Sequence, residues 1–186
     1  MAVYTISQGE KVTASILNTY AMNPGLTYVT GGSFSGAAAI TLDNVFTSSA
    51  ENYLFVINGY STSGAVRGIY AKMRVGGVTT TGSDYYIKGW YNNGTLTGYA
   101  PAAGAFAYFG DLAYNAAYMG MSTVQIMSPQ LATRTAFMAS NVETFNTVVS
   151  QYNTTHAVST AYDGIYIYPS SGSFTGTYRL YSYRQA

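Results

Sequence analysis

From residue 26 onward, apolar and polar positions alternate at the two-residue period of β-strands. Val66 to Val75 is the clearest case. Ile69, Ala71, Met73 and Val75 point one way, and Tyr70, Lys72 and Arg74 the other. That run predicts a half-exposed strand. Tyr53 to Ile57 is apolar on both faces and predicts a central strand. Leu26–Thr30 predicts a strand ended by Gly31-Gly32, and Asp84–Tyr91 one closed by the turn Asn92-Asn93-Gly94. Further strands are expected at Ala105–Tyr108, Thr123–Met127, Thr133–Ala139, Phe145–Gln151, His156–Thr160, Gly164–Tyr168 and Thr177–Tyr183. Gly94 to Tyr118, with Pro101 and Gly104 as breakers, reads in part as a long loop, a natural place for function. Roughly nine to eleven short strands with regular turn signals predict an all-β fold, an antiparallel β-sandwich over residues 26–186.

Residues 1–25 follow a different pattern. Thr13 is suited to cap a short helix, with Ile16, Leu17 and Tyr20 on one side and Asn23-Pro24-Gly25 as the stop. A two-turn helix has little stability alone and must dock on something. Thr13, Ile16, Leu17 and Tyr20 are therefore candidate assembly residues of an N-terminal docking segment. The start has neither a basic nor an apolar leader region, so no signal peptide is expected. No apolar run reaches about 18 residues, so no membrane-inserted helix is expected. A short echo, Gly32-Ser33-Phe34-Ser35-Gly36 and Gly172-Ser173-Phe174-Thr175-Gly176, reads as a turn shared by two strand starts rather than a duplication.

Composition adds the idea of assembly. The chain has 20 tyrosines in 186 residues, 8% charged residues and a net charge of +1. Such a balance gives no electrostatic footprint for nucleic acid or an acidic membrane. It also removes the repulsion that keeps proteins apart. Tyrosine forms strands, and its apolar ring with a polar tip suits a core or an interface equally. These features favour a homo-oligomer, with a trimer as the first expectation. Cysteine is absent, which excludes disulfides and thiolate metal sites.

Candidate chemistry is sparse. The chain has no Gly-x-Gly-x-x-Gly loop, no phosphate-cradling Gly-x-x-x-x-Gly-Lys motif and no Gly-x-Ser-x-Gly elbow. The single histidine, His156, sits in what reads as a turn running into a strand, and is expected to be a partly exposed or hydrogen-bonded structural residue. The carboxylates Glu10, Asp43, Glu51, Asp84, Asp111, Glu143 and Asp163 are scattered singly. Asp43-Asn44 and Asp163-Gly164 read as turn residues rather than a catalytic pair. Arg67, Lys72, Arg74 and Lys88 are expected on two neighbouring strands. No catalytic, cofactor or metal residues are assigned. Tyr85, Tyr86, Trp90 and Tyr91 cluster on one predicted strand beside a turn. Core or interface packing is the first reading of these rings. Tyr86, Trp90, Tyr91 and Asn93 are the candidates for surface or glycan contact.

At the C-terminus, Thr160-Ala161-Tyr162-Asp163-Gly164-Ile165-Tyr166-Ile167 leads on to Gly172-Ser173-Phe174-Thr175-Gly176-Thr177-Tyr178-Arg179-Leu180-Tyr181-Ser182-Tyr183-Arg184. This resembles the closing segment of a group of small virion proteins of tailed bacteriophages, common in phages of marine bacteria and cyanobacteria. Phe46-Thr47-Ser48-Ser49-Ala50-Glu51-Asn52-Tyr53 is similar to the group's lead-in to a strand. Thr13-Ala14-Ser15-Ile16-Leu17-Asn18 resembles a helix near the N-terminus of many phage tail and fibre proteins. The resemblance implies a jelly-roll sandwich and a non-enzymatic structural role in the virion, after synthesis in the host bacterial cytoplasm. The expected function is a tail fibre or tail appendage component, assembling through its N-terminal segment and tyrosine-rich faces. Expected partners are other virion proteins and a host-surface glycan. A head decoration (cement) protein and a carbohydrate-binding module are the alternatives.

Overall fold

Runs rich in Tyr, Val, Ile and Thr, cut by Gly-, Asn- and Ser-rich turns, form the strands of a computed structural model that describes residues 25–100 and 103–183. Among the described residues there are thirteen strands and no helix. They are β1 (Leu26–Ala37), β2 (Ile40–Leu42), β3 (Asn52–Ser61), β4 (Arg67–Val75), β5 (Val78–Thr79), β6 (Tyr85–Asn92) and β7 (Leu96–Tyr99). Then come β8 (Ala107–Leu112), β9 (Gly120–Met127), β10 (Thr135–Glu143), β11 (Val148–His156), β12 (Gly164–Pro169) and β13 (Phe174–Tyr183). The proposed docking residues Thr13, Ile16, Leu17 and Tyr20 lie outside the described residues, as do Pro101 and Arg184.

The strands form two antiparallel sheets. The larger has eight strands in the order β1-β13-β3-β9-β10-β11-β6-β7, and the smaller has five, β2-β12-β4-β5 with β8 also on β4. The faces between them form the core. Tyr53, Phe55 and Ile57 of β3, Val124 and Ile126 of β9, and Phe137 and Ala139 of β10 meet Ile69, Ala71 and Met73 of β4, Phe109 of β8 and Ile165 and Ile167 of β12. Phe109 ties the layers together, with its ring 6.2 Å from Phe55 and 5.8 Å from Phe137. The expected alternation of Val66–Val75 holds, with Ile69, Ala71 and Met73 fully buried; Val75 is exposed at the hairpin tip.

Several boundaries differ from expectation. Gly31-Gly32 does not end β1, which continues to Ala37 along β13 and takes up the mismatch in bulges after Tyr28 and Phe34. The two echoed segments therefore lie side by side, and Phe34 packs on Phe174 at 4.6 Å. The strands expected at Phe145–Gln151 and His156–Thr160 are replaced by the single strand β11, ending at His156. The cause is the Glu143 side chain, which accepts the Phe145 and Asn146 amides and holds residues 144–147 as the hairpin tip. Within Gly94–Tyr118, β7 and β8 replace the long loop. The short strands β2 and β5 carry too few residues to show a period.

Candidate functional site

The surface feature built by this topology is the outer face of the large sheet. Register brings Asn58, Met121, Val142, Val149, Asn92 and Leu96 into one row across β3, β9, β10, β11, β6 and β7. The next rows on that face place Arg179, Val56, Thr123, Ser140, Gln151 and Trp90 together, then Tyr28, Tyr181, Leu54, Gln125, Met138, Asn153 and Lys88. Eight large apolar side chains are exposed here: Tyr28, Tyr86, Trp90, Leu96, Met121, Met138, Val142 and Val149. The eight strands carry three charged residues, Lys88 and Arg179 on this face and Glu143 buried on the other. Among the described residues, these strands place no carboxylate on the outer face.

The predicted aromatic cluster on β6 is split by the pleat. Tyr85 is buried, and its hydroxyl accepts the Met73 amide at 2.8 Å. Burial pushes that hydroxyl up to about 12. Tyr91, registered with Ser150, also turns toward the sandwich and is half-buried. Tyr86 and Trp90 point outward, 56% and 39% exposed. Asn93 is exposed in the turn. Tyrosine also lines the outside of the small sheet, where Tyr70 stacks on Phe106 at 3.8 Å and meets Tyr168 edge-on at 5.7 Å. The expectation for the basic residues is corrected. Arg67, Lys72 and Arg74 lie on β4 of the small sheet, but Lys88 lies on β6 of the large one. Arg74 pairs with Asp43 at 2.7 Å.

Two polar clusters lie between the sheets, one at each end of the β10–β11 pair. At the Glu143 end, Asn141 is the hub. Its Nδ2 donates to Asp111 O at 3.0 Å, Met121 O at 3.1 Å and Ser122 Oγ at 2.9 Å. Its Oδ1 accepts the Asp111 amide at 3.1 Å. Gly110 makes this approach possible: its φ is +115°, and an added Cβ would lie 2.3 Å from Asn141 Cβ. Tyr108 Oη donates to Asp111 Oδ1 at 2.6 Å. Burial raises the Asp111 carboxyl above its ordinary value, and Glu143 raises it further, while the Tyr108 bond opposes both. Burial and Asp111 together push the Tyr108 hydroxyl up strongly and Tyr152 to about 12.

At the other end, His156 is fully buried, with its ring 4.2 Å from Tyr85 and 5.3 Å from Tyr162. Among the described residues, neither ring nitrogen has a hydrogen-bond partner, nor do the hydroxyls of Thr135, Thr154 and Tyr162. Burial draws the imidazole below its ordinary value, against the pull of Asp84. This corrects the expectation of a partly exposed or hydrogen-bonded histidine. The polar Thr135, Ser150, Thr154 and His156 all point inward, so the residues that mislead the strand reading are those that fill the core with polar groups.

Among the described residues, no three His, Asp or Glu side chains gather as a metal site, and no helix is long and apolar enough to cross a membrane. The turn reading of Asp43 and Asp163 is corrected: Asn44 takes φ +56°, but the Asp43 carboxylate pairs with Arg74, and Asp163 Oδ2 accepts the amide of Gly76, distant in sequence, at 3.0 Å. Compared with protein-family models, curated proteins and solved structures, the chain matches none.

Proposed function

We propose that the protein is a non-enzymatic structural component of a tailed-phage virion, a subunit of a tail fibre or appendage that assembles as a trimer. The outer face of the large sheet carries this reading. It combines exposed aromatic and aliphatic side chains with an absence of carboxylates, the composition of a contact surface rather than a solvated one. Tyr28 on β1, packed edge-on against Tyr181 at 6.0 Å, and Met121, three strands away on β9, both lie on the β1–β9 half of that face. The strand nesting favours the jelly-roll description, since β1 pairs with β13 and β2 with β12. The resembling C-terminal segment supplies β12 and β13 of that nest. Polarity supports an anchored subunit. Leu26, where residues 1–25 join, sits at one end of the large sheet, and the Asn93-Gly94 turn sits at the other.

The test is electron microscopy of intact particles labelled with an antibody against residues 26–186. Label on the tail is the expected result. Label over the head turns the reading into that of a decoration protein, and particles free of label defeat both. Sedimentation of the purified chain adds the oligomer: a trimer is expected, reduced to monomer by Tyr28→Lys with Met121→Lys.

A further inference from the structure

The geometry points to a binding platform for an uncharged, extended glycan on the β6–β11 half of the outer face, built around Trp90 and Tyr86. Along β6 the outward positions are Tyr86, Lys88 and Trp90, and register sets Thr155, Asn153 and Gln151 of β11 beside them. The surface is thus two parallel lanes, one of rings and one of amides and a hydroxyl. Four residues of strand separate the two rings by about 13 Å, a span longer than one sugar. A single chain laid along the strand reaches both.

Sugar chemistry fits the two lanes. A pyranose carries C–H groups on its faces and hydroxyls around its rim. An indole or phenol face takes the first, and the primary amides of Gln151 and Asn153 donate to and accept from the second. The lane of rings is open on its outer side. Gly98 of the edge strand β7 stands directly opposite Trp90, and a Cβ placed there would meet nothing within 4 Å. Any larger residue in that position would fill the flank of the indole. Strand-forming sequence would put Val, Thr or Tyr there more often than Gly.

The charge pattern selects among ligands that stack on aromatic rings. A single-stranded nucleic acid needs a groove of cations along its backbone. Lys88 is the one cation on the platform, and the chain carries a net charge of +1. An extended peptide gains its affinity from main-chain pairing at a sheet edge, whereas the two rings lie on the face. A neutral polysaccharide needs neither charge nor an edge. The platform uses the β11–β7 half of that face, while Tyr28 and Met121, the positions taken for assembly, lie on the other half.

The full-length protein would be screened against an array of neutral and acidic glycans and assayed for pull-down on insoluble polysaccharides, with hits measured by titration calorimetry. Wild type is expected to bind a neutral glycan. Trp90→Ala and Tyr86→Ala should each weaken it by about tenfold or more, as the loss of one stacked ring does. Gly98→Val removes no side chain that touches the ligand, and its site is spacious enough to leave the fold intact. It should weaken binding as much, while Tyr28→Ala leaves it unchanged. Melting curves check that each variant folds. The proposal is overturned if wild type binds no glycan, or if binding survives Trp90→Ala or Gly98→Val. It is overturned equally if the only ligand is a salt-sensitive oligonucleotide. Immunoblots of particles carrying the variants keep this outcome separate from the structural role: a variant that enters particles in full but binds no glycan leaves that role standing.

Discussion

The two buried polar clusters sit at opposite ends of one strand pair and treat their polar atoms in opposite ways. At the Glu143 end, Asn141 joins β8, β9 and β10, and its amide and carbonyl meet backbone groups of Asp111 and Met121. At the His156 end, five buried polar atoms from four side chains have no hydrogen-bond partner among the described residues: His156 Nδ1 and Nε2 and the hydroxyls of Thr135, Thr154 and Tyr162. A fully bonded network fixes which strand lies over which. An unbonded one contributes only its volume, at the cost of desolvation. The difference assigns alignment of the two sheets to the Asn141 end.

The most disruptive change is expected to be Asn141→Leu. It removes the hydrogen bonds to the Asp111 amide, the carbonyls of Asp111 and Met121 and the Ser122 hydroxyl, so chemical denaturation should show a loss of about 3–5 kcal/mol. A loss below about 1 kcal/mol would remove the contrast between the two ends. Tyr108→Phe comes next. It takes away the hydroxyl that donates to the Asp111 carboxylate, and stability at neutral pH should drop by about 1–3 kcal/mol.

Acid sharpens the contrast, because the two ends respond with opposite sign. His156, faced by Tyr85, Tyr162 and Asp84, has a folded pKa below the ordinary 6.5. The unfolded chain binds the proton first, so stability is lost as pH falls from 6.5 toward the folded value. Asp111, faced by Tyr108, Tyr152 and Glu143, has a folded pKa above the ordinary 3.8. The folded chain keeps that proton longer, so its contribution is greatest below 3.8 and is lost as pH rises through the folded value. Melting temperatures followed from pH 7 down to about pH 4, a range that spans the ordinary His and carboxylate values, should show the histidine loss in wild type and not in His156→Leu. Asp111→Asn should melt higher than wild type at neutral pH. The mildest change is expected for His156→Leu at pH 7, within about 1 kcal/mol of wild type, because the ring has no hydrogen bond to lose. A large loss there would reveal a partner for the imidazole.

Where side-chain polarity tracks burial, the sequence makes the fold readable. The β4 pattern of Ile69, Ala71 and Met73 against Tyr70, Lys72 and Arg74 appears in the structure as written. Readability fails where the core itself is polar. Ser150, Thr154 and His156 face inward on β11, so the apolar signal vanishes and the strand is read in two misplaced pieces. Glycine causes a second kind of error, because Gly31-Gly32 punctuates a sequence without interrupting a ladder that a bulge repairs. On β6 the ring cluster is visible in the sequence, but only the pleat sorts Tyr86 and Trp90 from Tyr85 and Tyr91. Gly98 carries no sequence signal at all, since its meaning lies in the register that sets it opposite Trp90. The Asn141 hub is equally hidden, because its partners come from strands far away in sequence.

The pairing of β1 with β13 has a mechanical consequence. Leu26 and Tyr183 are direct partners at one corner of the large sheet, and among the described strands β1 is outermost and pairs with β13 alone. A pull that separates residues 26 and 183 would unzip the pair rung by rung, at low force. A pull along the strand, between residue 26 and the Asn93-Gly94 end of the sheet, would load all the rungs together in shear. A subunit tethered through residue 26 and gripped at that opposite end would meet tension along the direction in which this edge is strongest.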